Sequence, residues 1–351
     1  MRPSKGIILI CLFVISVLSL ITIWSTTPGL FLTQLSFIVA GAILIYFLSR
    51  SDINLLFSYS WVLYFFSIFL LVLTIFVGKN VRGSVRWIDL GFFNLQTSEL
   101  IKPFLAIFYA QYLATNKLKR LRDFFIFLFI SFIPVVMVMR QPDLGSSLTL
   151  AVIPITLIFF TGHAKKLLLT IILLACVAFP IESKILKPYQ RERLTSFINP
   201  YSDPQGSGYH VIQSIIAIGS GGLIGKGVRL GTQSHLNFLP ERHTDFIFAS
   251  YSEEFGLLGI FILIGAYLWL LSYLLKISQY FKSQSHYLFT LAVFTSFVFQ
   301  FMVNIGMNLG IMPVTGITLP IFSYGGSSLL SFAIYIGFQL RLLDLLTPFE
   351  L

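Results

Sequence analysis

The chain has 351 residues, 56% of them hydrophobic and 11% charged, with 37 phenylalanines and a formal charge of +10. A soluble domain needs a charged shell, so this composition excludes one and points to repeated membrane-spanning segments. The positive charge sits between apolar runs, which assigns it to membrane topology and not to a nucleic-acid partner.

The first apolar run, about residues 7–25, follows Arg2 and Lys5. It has no small-residue cleavage site and a second run follows at once, so it reads as an uncleaved first helix. Further runs at about 30–48, 56–77, 99–115, 124–139, 144–161, 166–182, 245–275, 286–308 and 319–343 bring the expected spans to about ten. All are expected to be helices, because lipid offers no partner to an open backbone group. Spans five and six divide at Arg140-Gln141-Pro142-Asp143, where Pro142 disfavours helix at the residue before it. Cys11 and Cys176 fall inside apolar runs, which argues against a disulfide framework or a zinc site.

The expected fold is therefore an all-α polytopic membrane protein, a single integral membrane domain over 1–351. One long extracytoplasmic loop covers about 183–244, and both termini are cytoplasmic. Orientation follows from basic residues in the short loops: Arg50, Lys117 to Arg122, Lys165 and Lys166, Lys276 and Lys282, and Arg341 all fall on the inner side. Two outer segments break that rule. The long loop carries Lys184, Lys187, Arg191, Arg193, Lys226, Arg229 and Arg242, but long loops translocate regardless of charge. Segment 78–98 carries Lys79, Arg82 and Arg86, and cations held outside without matching acids suggest an anionic ligand. Residues 84–97 are expected along the outer interface, either as a membrane anchor or facing a ligand.

The long loop is rich in glycine between Gly206 and Gly231. Gly221-Gly222-Leu223-Ile224-Gly225-Lys226-Gly227 fails as a phosphate loop, because Ser220 stands where a glycine is required and no Ser or Thr follows Lys226. Glycine still permits close backbone approach and non-helical chain beside a cavity. Val211 to Ile218 is apolar enough for a re-entrant or interfacial helix.

The loop ends in Phe238-Leu239-Pro240-Glu241-Arg242-His243-Thr244-Asp245, at the mouth of an apolar span. Ionisable groups at membrane depth are functional candidates. Asp245 has three readings: a helix cap, a general base, or an ion partner of Arg242 or His243. Without Ser-His-Asp spacing or a His/Cys cluster, carboxylate-based proton transfer is the main chemistry open to it. Glu253 and Glu254 lie about 12 Å deeper along the same helix, too far for a glycosidase-like pair, and read as bonds to neighbouring helices ahead of a proton relay. Glu99 and Lys102 have the spacing of an intrahelical pair, and Asp143 opens span six beside Arg140. The stretch from Leu319 through Ser328 is either close packing by small residues or a broken helix lining a site.

These residues carry a resemblance. Arg193-Leu194-Thr195-Ser196-Phe197, Asn199-Pro200, Gly206-Ser207-Gly208-Tyr209-His210, Gln213-Ser214, Gly231-Thr232-Gln233 and Phe238 through Ala249 match the SEDS family (shape, elongation, division and sporulation). Arg86-Trp87-Ile88, Gln141-Pro142-Asp143-Leu144-Gly145, Pro313-Val314-Thr315-Gly316 and Ser323-Tyr324-Gly325-Gly326-Ser327-Ser328 extend the match along nearly the whole chain. Glu241-Arg242-His243 and Gly208-Tyr209-His210 look more like the rod-shape branch than the division branch.

The resemblance implies a peptidoglycan glycosyltransferase that polymerises lipid II for wall elongation and cell shape, on the outer face of the bacterial cytoplasmic membrane. It places the family's essential aspartate on Asp245, as general base. Arg86, Lys102 or Arg193 are the candidates for the departing pyrophosphate; Asp143, Gln213, Ser214 and Gln233 are further substrate-binding candidates. Glu241, His243, Thr244, Ser323 and Tyr324 complete that set. A divalent cation could share the work, though no ligand cluster identifies one. The implied partner is a class B penicillin-binding protein within the elongation machinery. The rival readings are a lipid II flippase and a noncatalytic scaffold for that partner. Clustering of the reactive groups at the outer mouth favours chemistry over transport.

Overall fold

The structure is a computed structural model that describes residues 3–81, 84–91, 93–116, 118, 120–162, 197, 199–204, 206 and 208–346. The chain opens with α1 (Lys5–Thr26), α2 (Phe31–Leu48), the short α3 (Ile53–Ser58) and α4 (Ser60–Val77). Strands β1 (Lys79–Val81), β2 (Ser84–Asp89) and β3 (Asn94–Gln96) follow, then α5 (Thr97–Thr115), α6 (Leu121–Arg140) and α7 (Leu144–Thr161). After the long connection come α8 (Tyr209–Ser220), α9 (Thr232–His235), α10 (Ile247–Ser278), α11 (Gln284–Asn308) and α12 (Gly326–Asp344). Nine of the ten expected spans therefore carry helices; the tenth, 166–182, lies outside the described residues, as does Cys176.

Eight of these helices are long and apolar enough to cross a membrane, and the exception among the expected spans is α5, which contains Glu99 and Lys102. That helix is shielded: both side chains are buried and Lys102 Nζ lies 2.6 Å from Glu99 Oε1, the pairing their spacing predicts. Elsewhere α4, α6, α10 and α2 present exposed Phe, Leu and Ile outward, as lipid requires and water would not allow.

Small residues bring α2 and α12 together. Gly41 faces Ala333, and Gly337, one turn on, faces the α2 backbone at Ile45 and the Leu48 side chain. Without a hydrophobic drive between helices in lipid, such close approach is the source of association.

One end of the bundle is closed by Lys5 paired with Asp344, by Tyr273 Oη donating 2.8 Å to Ser4 O, and by Ser285 on Gln111. At the other end lie the sheet, the 209–246 segment and the non-helical chain before α12. Strands β1, β2 and β3 form a three-stranded antiparallel meander in the order β1-β2-β3, so the 84–97 stretch expected along the outer interface carries β2 and β3. Its β2–β3 turn is held by Asp89, which accepts from Gly91 N at 2.8 Å and pairs with Lys79 at 3.2 Å, so Lys79, expected without a matching acid, has one in its own segment; both partners hold the Asp89 carboxyl below the ordinary range.

Among the described spans, 56–77 is divided at Tyr59 between α3 and α4, and two further breaks lie near the loop end. The last span begins at Gly326 and not at 319, so residues 319–325 are irregular chain within the bundle. Buried side chains satisfy that chain: Ser19 Oγ donates to Phe322 O at 2.6 Å, Gln34 Nε2 to Ser323 O at 3.4 Å, and Tyr267 Oη to Pro320 O. The broken-helix reading thus describes 319–325, while small-residue packing describes α12 itself. The second of these breaks is at Gly256 in α10, where φ is 62° and ψ is −162°.

Candidate functional site at the loop end

At Gly256 the helical ladder is interrupted and the loop takes its place. Lys226 N and Gly227 N each donate at 3.0 Å to the carbonyls of Glu253 and Glu254, while Leu257 N and Leu258 N donate to Gly222 O and Leu223 O. A β-carbon at Gly225 or Gly256 would overlap the opposing backbone. The glycine-rich run therefore serves close approach, as its composition allows, and its partner is the broken helix.

The two glutamates fasten the same loop. Glu253, fully buried, accepts from Lys226 Nζ at 2.8 Å, Thr232 Oγ1 at 3.1 Å, Gln233 N at 3.0 Å and Ser234 N at 3.2 Å. Glu254 accepts from Ser25 Oγ, Arg229 N at 3.3 Å and His235 Nε2 at 3.1 Å. Bonds to neighbouring helices were expected; apart from Ser25 on α1, these partners belong to the loop. Gln233 is held by its backbone, and its buried Oε1 has no hydrogen-bond partner among the described residues.

Residues 241–246 form a turn before α10, which starts at Ile247 with Phe246 as its cap residue, so Asp245 stands one position outside the cap. The turn rests on the irregular chain ahead of α12. Tyr324 N donates to His243 O at 2.9 Å, Ser323 Oγ donates to Thr244 O at 2.8 Å, and the His243 and Tyr324 rings meet edge to face at 5.6 Å. Thr244 Oγ1 turns back on Glu241, 3.3 Å from its carbonyl and its carboxylate. Arg242 reaches Thr26 O at 3.3 Å and the Asn237 side chain, tying the turn to α1.

Asp245 is half-buried, and its Oδ2 lies 3.5 Å from where a β-carbon on Gly316 would stand. Gly316 is exposed with φ at +74°, so the chain beside the carboxylate is both bare and turned as only glycine readily allows. The Asp245 carbonyl is clamped from α11 by Asn304 Nδ2 at 3.1 Å and Asn308 Nδ2 at 3.0 Å. Composition gave no reason to single out these two asparagines. The signal available was the run of amides Gln300, Asn304 and Asn308 at four-residue spacing on a largely apolar span, each costly to bury without a partner.

Asp143 forms the adjoining corner. It caps α7 by accepting from Ser146 N at 3.0 Å, and its other oxygen takes Gln96 Nε2 at 2.8 Å and Arg86 Nη1 at 3.7 Å. The cation it meets is thus Arg86 on β2, not the neighbouring Arg140. A β-carbon at Gly145 would sit 2.7 Å from Thr315 O, so the segment bearing Gly316 lies between the Asp143 corner and Asp245. Ser327 accepts from Gln96 N at 2.8 Å and joins the sheet to the start of α12.

The structure therefore gathers Asp245, His243, Thr244, Glu241, Ser323 and Tyr324 in one place, with Asp143 and Arg86 adjacent. Ser214 on α8 is buried against Asn308, and Gln213 is half-buried beside it. Lys102 is 1% exposed and faces Glu99, so its ammonium is inside the bundle and not at the mouth. Arg193 lies outside the described residues. Among the described residues no three His, Cys, Asp or Glu side chains converge as a metal site.

A family profile described as cell cycle protein, spanning FtsW, RodA and SpoVE, matches residues 5–345. The peptidoglycan glycosyltransferase MrdB of Escherichia coli K12 is 38% identical over 336 residues, covering 93% of this chain and 89% of that one. The probable peptidoglycan glycosyltransferase FtsW of Coxiella burnetii is 37% identical over 323 residues, covering 89% and 86%. Among solved structures, a chain from a peptidoglycan synthase complex that coordinates polymerization and crosslinking superposes with a TM-score of 0.85 at 33% identity, covering 98% of each chain. The rod shape determining protein RodA of Thermus thermophilus superposes at 0.75 with 28% identity, over 98% of this chain and 97% of that one.

Proposed function

From a chain that belongs to the FtsW, RodA and SpoVE family, the SEDS proteins, we propose a peptidoglycan glycosyltransferase that polymerises lipid II for wall elongation and cell shape. It is a multi-pass membrane protein. The loop end faces out of the bacterial cytoplasmic membrane and both termini face in. Its partner is a class B penicillin-binding protein, in keeping with a relative drawn from a complex that couples polymerization to crosslinking.

The observation that carries the mechanism is the carboxylate of Asp245 at the mouth of the bundle, with the bare backbone of Gly316 beside it. Asp245 takes the proton of the acceptor sugar's 4-hydroxyl. The oxygen forms a bond to the donor's anomeric carbon as that carbon's bond to the lipid pyrophosphate breaks, and the pyrophosphate leaves as an anion. Arg86, whose side chain is about a third exposed beside Asp143, and Arg193 are the cations for its developing charge. Lys102, sealed against Glu99, supports the fold of the site from within. His243, Thr244, Ser323 and Tyr324 hold the turn that presents the base.

Polymerisation of purified lipid II by the wild type and Asp245→Asn, with and without the partner, tests the reading. Loss of about 10²-fold or more in rate is expected for a missing base. A folded Asp245→Asn protein that polymerises at the wild-type rate refutes it.

A further inference from the structure

We infer that Asn304 and Asn308 are positioning residues for the base: a buried amide pair that fixes Asp245 through its backbone. This inference rests on the assignment of Asp245 as general base. Both side chains are fully buried on α11, one helical turn apart. Asn308 Nδ2 donates to Asp245 O at 3.0 Å and to Asn304 O at 2.8 Å, while its Oδ1 accepts from Ala249 N at 3.1 Å. Asn304 Nδ2 donates to Asp245 O at 3.1 Å and to Ile317 O at 2.8 Å. The amide orientations are set by these neighbours, since paired carbonyls require the nitrogen and the Ala249 amide requires the oxygen.

The consequence is geometric. The Asp245 turn lies outside the regular ladder of α10, and its carbonyl has two donors from a different helix. The same Asn304 amide holds Ile317, next to Gly316, whose bare α-carbon faces the Asp245 carboxylate. One rigid helix thus sets the spacing between the base and the wall opposite it. Ser214 Oγ, donating 2.8 Å to Asn308 O, ties α8 to the same point. Hydrogen bonds buried among apolar side chains resist displacement, and a shift of about 1 Å in a reacting group can change a rate by about 10²-fold.

The test is steady-state polymerisation of purified lipid II by the full chain with its partner, comparing Asn308→Leu, Asn308→Ser and Asn304→Ser with Gln300→Leu. Gln300 is equally buried one turn further from Asp245 on α11, and its side chain hydrogen-bonds only to Ser296 among the described residues, so it controls for loss of a buried amide. The expected result is a fall of about 10- to 100-fold in kcat for the Asn308 and Asn304 variants, with KM within about threefold. Gln300→Leu keeps kcat within about twofold. The milder serine variants keep the comparison open if Asn308→Leu does not fold. Wild-type kcat in the asparagine variants overturns the inference, as does a loss that follows melting temperature equally in Gln300→Leu. Asp245→Asn in the same assay separates the two ideas. If it retains activity the base assignment fails; if it is inactive while the asparagine variants are not, only the positioning role fails.

Discussion

Glu253→Gln should open the loop without unfolding the bundle. The carboxylate is fully buried and receives Lys226 Nζ, Thr232 Oγ1 and the amides of Gln233 and Ser234, all between 2.8 and 3.2 Å. Glutamine removes the charge and turns an NH2 toward groups that are themselves donors. Breaking half of a buried pair costs about 3–5 kcal/mol where the other charge stays buried. Here Lys226 is 27% exposed and can turn to water, so the loss should be smaller. About 2–3 kcal/mol is reasonable for two or three charge-assisted bonds exchanged for neutral ones. That is roughly a 30- to 150-fold increase in the population of the open loop. Hydrogen exchange in nanodiscs reads it directly. The reporters are the Lys226 and Gly227 amides, bonded to Glu253 O and Glu254 O, and those of Leu257 and Leu258. Protection there should fall by that factor while amides of α11 and α12 stay unchanged, and polymerisation should fall with it. Exchange at these four amides within about threefold of wild type, in a folded protein, would refute the view that Glu253 clamps the loop into the broken helix.

Gly256→Ala should be far more damaging than its size suggests. Its φ of 62° and ψ of −162° lie in a region open essentially to glycine, and the added carbon would overlap the Gly225 backbone, so a loss of about 3 kcal/mol or more in thermal unfolding is expected. The buried pair in α5 should show the asymmetry of buried charge: Lys102→Met alone is expected to cost about 3–5 kcal/mol, because Glu99 is left without its cation. Adding Glu99→Leu should return the melting temperature most of the way, and a double variant no more stable than the single one would contradict this.

Much of the fold was legible because lipid imposes a one-dimensional rule: enough consecutive apolar residues, all backbone bonded within. The described helices follow the expected runs within a few residues at most ends. The Glu99–Lys102 pair was legible for a related reason, since a three-residue spacing on one helix places the two groups together wherever that helix lies. Asp245, too, stood out as an acid where an apolar run begins.

The breaks were not legible. Gly256 is a single glycine inside an apolar run, and nothing local distinguishes it from a packing glycine. It breaks the helix because the distant 222–227 segment supplies the donors and acceptors that the helix gives up. The irregular chain at 319–325 likewise depends on Ser19, Gln34 and Tyr267, from three other helices. Lys102 was counted among the outer cations from its place in the chain, but packing put it inside.

What the sequence determined by itself was the class of molecule, the runs that cross a membrane, and the acid at the loop's end, through composition, run length and the high cost of burying charge. Tertiary structure alone decided which way those groups face. It set Arg86 and not Arg140 on Asp143, gave Glu253 to the loop, and clamped the Asp245 carbonyl with two amides from α11. The reason is range: apolar periodicity acts along a segment, whereas a hydrogen bond between residues about sixty positions apart exists only once the helices have packed.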